Sequence, residues 1–424
     1  MSASAPYQGT VVVIPTRNRP ELAINAARSV LDQMVNGIQI LISDNSTSEN
    51  DCTQLGSFCR KLADGRVRYI VPPVPMSMTN HWDWALHEAL ESYEASHFVF
   101  LTDRMMFRPG ALKSIADIVQ LYPDRIVAYN HDMIDDDQSP IRVEQYPWTG
   151  KLFEVGCLRL SYIYSQCYIH YCLPRMLNSV APRSLLEVVR ERFGNYFASI
   201  SPDFNFGFRC LEVCDSIVFY DRSPIFHYAL NRSNGASHTR GELTPDSLDF
   251  AANLSVNSSE RNYATPIPQL LSVANAIMNE YCIIKQETQS SRFFEIDIKK
   301  YLERMAMELD LMVDPKARAE AERLLMAYGW SRRNHIRALV TTVTSRNFPG
   351  KLLSELRRDS GRPFTERWWL FLARHFGVKL PDDHRFQFPT VEEAIKFMCD
   401  FPRGSSQGYY ENNEILQATE MPAL

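Results

Sequence analysis

"VVVIPTRNRPELAINAARSVL" (residues 11–31) sets four apolar residues, Val11 to Ile14, ahead of Pro-Thr-Arg-Asn-Arg-Pro and then a helical pattern. A continuous apolar run of this kind suits a strand buried on both faces, and Pro20 suits the first turn of a helix, where its missing N–H costs nothing. The basic, proline-bounded loop keeps the strand end free of helix, so that Pro15, Thr16 and Arg17 can face a ligand.

The alternation continues along the first half of the chain. "IQILIS" (38–43) leads into the cap cluster "DNSTSEND" and a helix over 52–63, and "RVRYIV" (66–71) leads into a proline-rich loop and a helix over 80–93. "SHFVFLT" (96–102) precedes "DRMMFRPGAL" and a helix to Tyr122, after which "RIVAYN" (125–130) makes a fifth strand. Apolar strands separated by helices predict an α/β fold with a mostly parallel, Rossmann-like sheet flanked by helices.

Ligands of such sheets bind beyond the carboxyl ends of the strands. Pro15 to Arg19, Asp44 to Ser46 and Asp103 all fall there. Taken singly, Asp44 reads as a helix cap, Arg17 as a surface charge and Asp103 as a turn residue. Three polar clusters at three strand ends read together as a site for a nucleotide diphosphate. An Asp accepts hydrogen bonds from a base or ribose, guanidinium groups meet phosphate oxygens, and an Asp after a strand can hold a divalent cation. No Gly-x-Gly-x-x-Gly follows the first strand and no P-loop occurs, which sets aside the dinucleotide and P-loop classes.

The chain has 424 residues, so two domains, or one with a large addition, is expected. With 45 basic against 50 acidic residues it lacks the basic footprint of a general nucleic-acid binder. The nine cysteines include no Cys-x-x-Cys pair and read as free thiols of a reducing compartment. No basic-then-apolar leader opens the sequence and no apolar stretch is long enough to span a membrane, which points to a cytoplasmic protein.

The ordered set "VVVIPTRNRPELAINAARSVLDQ", "ILISDNST", "MSMTNHWDWALHEAL" and "FVFLTDRMMFRPGAL" resembles the GT-A fold of family 2 glycosyltransferases over roughly residues 8–240. The resemblance implies inverting transfer from a nucleotide sugar, a UDP-sugar by family frequency, to a glycan or lipid-linked glycan acceptor. It places Pro15, Thr16 and Arg17 at the base and ribose, Asp44 at the nucleobase and Asn80 near the nucleotide. "TNHWDWAL" is also an ordinary capped helix start. The family's Asp-x-Asp metal motif reads Asp103-Arg104-Met105 here, with Asp103 as the one carboxylate for Mn²⁺ or Mg²⁺ and Arg104 as an alternative neutraliser of the diphosphate.

The resemblance also implies a general base in "FASISPDFNFGFRCLEV" (197–213), namely Asp203; without it, Asp203 reads as a first-turn acid favoured by the helix dipole. Asp132, Asp135, Asp136 and Asp137 read as an exposed turn, and "YIYSQCYIHYCLP" (162–174) as core or a sugar-stacking surface. "DSIVFYD" and "PIFHYAL" read as two strands. The segment "NRSNGASHTRGEL" (231–243) matches the family's closing loop, with Arg232, Ser237 and His238 as contacts and His227 or His238 as a substitute metal ligand.

Residues 1–245 are expected to form the GT-A domain and 246–424 an all-helical one, with helices over 267–286, 293–312, 315–328, 333–345, 349–358, 364–376 and 390–400 and a loosely ordered tail. Residues 332–379 carry eleven Lys or Arg against three acids. That stretch reads either as a peripheral contact with an anionic membrane or as a face covering the catalytic domain or a homo-oligomer interface. Two rival functions stay open: a catalytically silent glycan-binding or scaffold protein, and a sugar nucleotidyltransferase, for which "PTRNRPEL" lacks the expected glycine-rich loop.

Overall fold

The computed structural model of the chain describes residues 7–33, 35–137, 139–145, 148–233, 263–309, 312, 314–331, 387–400 and 416–422. Ser237, His238, the basic segment 332–379 and the three helices expected within 333–376 lie outside the described residues. The fold is mixed α/β, with a mostly parallel central sheet flanked by helices.

Strands β1 (Thr10–Thr16), β2 (Ile38–Asp44), β3 (Val67–Ile70) and β4 (His97–Phe100) run parallel in the order β3-β2-β1-β4. They are joined by helices α1 (Pro20–Leu31), α2 (Glu49–Leu62) and α3 (Met78–Ser92). Ser48 and Ser77 cap α2 and α3 by accepting the N–H of Asp51 and Asn80. The apolar run of β1 is continuous because both its faces are covered: Val11 and Val13 belong to one core, Val12 and Ile14 to the other.

β1 extends through Pro15 and Thr16, two residues further than the loop read from the sequence. Proline is tolerated there for a geometric reason. Val13 O accepts the N–H of Leu101 at 2.9 Å, so odd-numbered residues of β1 point toward β4, whose ladder ends at the Val13–Phe100 pair. The absent N–H of Pro15 therefore interrupts no ladder bond.

After β4 come β5 (Met105–Phe107), α4 (Ala111–Leu121), β6 (Val127–Asp135), β7 (Ile141–Glu144), β8 (Leu152–Gly156), α5 (Cys157–Ser165), β9 (Ser179–Pro182), α6 (Arg183–Phe193), α7 (Pro202–Val213) and β10 (Ser216–His227). The fifth expected strand, β6, is not adjacent to β4, because the short antiparallel β9 lies between them. The two strands expected around Pro224 are a single one, β10, whose pairing with β6 shifts register between Tyr220 and Ile225 and so absorbs the proline. The acidic run is not simply an exposed turn. Asp132 is 1% exposed and takes Arg108 Nη2 at 2.6 Å, and Asp136 accepts the N–H of Ala229 and Leu230 at 2.8 Å each.

Helices α8 (Val273–Thr288), α9 (Ile298–Leu309), α10 (Pro315–Ala327) and α11 (Val391–Asp400) follow. Ile277, Met278 and Tyr281 of α8 share a core with Phe206 and Phe208 of α7, and Tyr281 meets Phe208 edge-on at 5.4 Å. The C-terminal part is not all-helical: β11 (Gln387–Phe388) pairs with β7, and β12 (Thr419–Glu420), within the expected loose tail, pairs with β8. All nine cysteines are free thiols. No described helix is long and apolar enough to cross a membrane.

Candidate active site

Thr16, Asp44 and Asp103 meet at the carboxyl ends of β1, β2 and β4. Thr16 stands in register with Asp44, and its hydroxyl donates to Asp103 Oδ2 at 2.9 Å. Asp44 and Asp103 are only 0% and 4% exposed, so each must find partners inside the protein.

Asp44 Oδ1 accepts the N–H of Ser46 at 3.0 Å, and Oδ2 accepts the Tyr69 hydroxyl at 2.8 Å. Burial, then the bond to Asp44, pushes the Tyr69 hydroxyl well above its ordinary pKa, so it stays a donor. Beside Asp44, Asn45 and Met76 exchange two hydrogen bonds of 2.8 and 3.0 Å, and Arg17 donates to Met76 O at 3.2 Å. The loop before α3 is thereby drawn against the ends of β1 and β2. His81, bonded to Ser43 at 2.8 Å, is held neutral by burial and by the nearby Arg17, its pKa lowered to about 3.

Asn18 braces this loop. Its φ of +54° is a left-handed conformation that asparagine tolerates better than most residues. The N–H donates to Ser46 Oγ at 2.7 Å, and the side-chain oxygen accepts from Thr47 and Ser48 N–H at 2.8 and 3.2 Å. Arg19, the next residue, places Nη1 3.5 Å from Asp103 Oδ1 and donates through Nη2 to Arg232 O at 2.7 Å. Arg232 in turn donates to Asn18 O at 3.2 Å, so the start of the expected closing segment docks on the first loop.

The residues present do not fit a divalent cation. Both oxygens of Asp103 are engaged, one by a hydroxyl and one by a guanidinium, and a cation would have to displace Arg19 against its charge. Among the described residues no group of three or more His, Cys, Asp or Glu side chains converges as a metal site. His227 pairs with Met105 across β10 and β5, two residues from Asp103. Its nearest ring is His131, with centroids 4.5 Å apart, and burial followed by His131, Arg104 and Arg175 drives its pKa far down.

Asp203 sits in the first turn of α7, behind Pro202. Its side chain is 14% exposed and lies 3.5 Å from Arg175 Nη1. Burial raises its pKa, opposed by Arg175 and by the backbone N–H of Phe204. Arg175 is itself held, donating to Asn178 Oδ1 at 3.0 Å and lying over the Phe204 ring at 4.8 Å. Arg104 and Arg175 both help to lower the pKa of His227, so the Asp103 loop and the Asp203 pair are within electrostatic reach of one histidine.

The structure thus gathers Pro15, Thr16, Arg17, Asp44, Asp103 and Arg232 around the ends of the first strands, with Arg104 following Asp103. Asn80 is exposed on the first turn of α3, where its N–H meets the Ser77 cap. Reasoning from sequence placed Arg19 in the strand-end cluster without giving it a role of its own, and missed Tyr69 and Arg175. Arg19 lies inside the quoted basic loop and carried a signal; the other two act on Asp44 and Asp203 through space and carried none.

No family model and no curated protein matches the chain. Among solved structures it is similar to S. aureus TarS 1–349 in complex with UDP-GlcNAc, with a TM-score of 0.42 at 12% identity over 76% of this chain and 89% of that one. It is also similar to a longer S. aureus TarS chain, with a TM-score of 0.40 at 11% identity over 76% of this chain and 53% of that one. This chain spans about half the length of that longer chain. Similarity at this level assigns no role to any residue.

Proposed function

We propose that the protein is an inverting glycosyltransferase that moves a sugar from a nucleotide-diphosphate sugar, taken as a UDP-sugar, to a hydroxyl of a glycan acceptor in surface polysaccharide or glycoconjugate synthesis. The observation that carries this reading is the Thr16–Asp103–Arg19 clasp at the sheet's carboxyl edge, together with a separate, mostly buried carboxylate, Asp203, on its own helix. Two acidic sites with different partners suit two roles.

In this mechanism the Asp203 carboxylate takes the proton of the acceptor hydroxyl while that oxygen attacks the anomeric carbon. The bond from that carbon to the diphosphate oxygen breaks, and the nucleoside diphosphate leaves with the electron pair. Arg19 and Arg104, with Arg232 beside them, supply positive charge where the leaving group gains negative charge. Burial raises the proton affinity of Asp203, as a base requires, while Arg175 opposes that rise and favours the ionised form. Asp44 and Tyr69 receive the base and ribose in this reading, and the family resemblance assigns Asn80 to the nucleotide.

Thermal unfolding with UDP, GDP, dTDP and CMP, each with Mn²⁺ and with chelator, tests the donor site. A nucleotide at ~100 times its dissociation constant adds about 2.7 kcal/mol, a shift of a few degrees. One nucleotide is expected to give that shift and to keep it in chelator. Loss of the shift in chelator would restore a metal to Asp103, and no shift with any nucleotide would favour the silent scaffold. Asp203→Asn is expected to abolish transfer and leave the shift unchanged.

A further inference from the structure

We infer that Glu280, on α8 of the C-terminal helical part, is a positioning residue that sets the first turn of α7 and with it Asp203. The inference rests on the reading of Asp203 as the base. Glu280 is 0% exposed and makes no ion pair with Lys or Arg among the described residues, an expensive setting for a carboxylate. Apart from a 3.5 Å bond that Oε1 takes from Asn279 Nδ2 on its own helix, its hydrogen bonds go to one place. Oε1 accepts the Ser199 hydroxyl at 2.8 Å and the Ser201 N–H at 3.2 Å, and Oε2 accepts Asn205 Nδ2 at 3.0 Å. These three partners bracket Asp203 in sequence, four and two residues before it and two after.

Two features of α7 make it dependent on that grip. Ser201, its N-cap, makes no side-chain cap bond, so the helix start is not held by its own residues. Ser199 adopts φ +63°, a left-handed conformation that serine rarely takes and that persists only where the surroundings impose it. The same residue is held from the other side, its carbonyl accepting the Thr79 hydroxyl of α3 at 2.7 Å. Ser199 is therefore the joint between the helix bearing Asn80, the helix bearing Asp203 and Glu280.

A glutamine here keeps an oxygen for Ser199 and Ser201, but its NH2 cannot accept from Asn205 Nδ2, so the grip on the far side of Asp203 is lost or must rearrange by a turn of the Asn205 amide. The two carboxyl oxygens of Glu280 hold three donors around Asp203 at once.

The test uses the full chain. Glu280→Gln is expected to lower kcat about tenfold or more while the donor KM and the nucleotide-induced thermal shift stay unchanged, since a small misplacement of a catalytic group costs up to ~100-fold. In an Asp203→Asn background the same change is expected to cause no further loss in whatever trace rate a long, high-enzyme assay still detects, because Glu280 acts through Asp203. Wild-type kcat in Glu280→Gln, or an equal further loss in the double variant, would overturn the inference. Full activity of Asp203→Asn alone would instead remove the base. Should Glu280→Gln not fold, Ser199→Ala removes one contact and leaves the carboxylate its others; it is expected to show a smaller loss of the same kind, and an unchanged kcat overturns the inference.

Discussion

The Thr16 hydroxyl donates to Asp103 Oδ2 at 2.9 Å, so the end of β1 and the loop after β4 are fixed to each other before any ligand arrives. Thr16→Val keeps the β-branched shape of the strand and removes that bond. The bare carboxylate oxygen then lacks its partner, at a cost of ~1–3 kcal/mol. Nucleotide affinity, measured by titration calorimetry, is expected to fall about tenfold, in line with 1.4 kcal/mol per decade. An unchanged affinity would detach this clasp from the donor site.

Arg175 opposes the effect of burial on Asp203, so removing its charge moves the carboxyl further up. A base must be ionised to accept a proton, and transfer is lost as pH falls through its pKa. Arg175→Gln is therefore expected to displace the acid limb of the kcat profile to higher pH. A limb that stays in place contradicts the assignment of Asp203 as the titrating group.

Gly207 faces Leu173 across the α7 interface. A Cβ at Gly207 would lie 2.8 Å from Leu173 Cγ and 2.9 Å from its Cδ2, and Leu173 is 0% exposed with no room to retreat. Alanine gains ~1 kcal/mol of helix propensity over glycine, but overpacking a full core costs about 1–3 kcal/mol. Gly207→Ala is expected to lower the unfolding midpoint by a few degrees; a rise would mean that α7 can slide without penalty.

Glu280 leaves a signature in stability as well. Burial pushes its carboxyl up to about 8 from an ordinary 4.5. Its folded pKa is raised, so the stabilisation of the folded state is complete below about 4.5 and is lost as pH rises through about 8. Arg209 and Tyr263 are the charged and titratable groups that feel it from neighbouring elements. Denaturant unfolding between pH 5 and 9 is expected to show stability declining more steeply with pH in the wild type than in Glu280→Gln. Equal slopes would show that Glu280 does not titrate in this window.

The parts of the fold that depend on local pattern were legible. β1 announces itself because burial on both faces demands an unbroken apolar run, β2 by an apolar run interrupted only at the exposed Gln39, and the polar residues at their ends mark the crevice. β9 was invisible for the opposite reason: it has four residues, ends in Pro182, and exists through pairing with β4 and β6 from far along the chain. Pro224 looked like a strand break, yet the register shift beside it lets β10 continue. In the site, Asp44 and Asp103 could be found by position, whereas Tyr69, Arg175 and Glu280 matter through partners that only folding brings near.

β12 lies along β8, pairing Thr419 with Glu154 and Glu420 with Phe153, and Met421 N–H reaches Leu152 O at 2.9 Å. β8 is made early in synthesis and β12 roughly 260 residues later, an interval of about 13–50 s at ~5–20 residues per second. Until then one row of β8's backbone donors and acceptors has no strand beside it, an open edge of the kind that recruits other chains. A second nascent copy offers its own open β8 to the same groups, so β12 competes on the ribosome's clock with self-association.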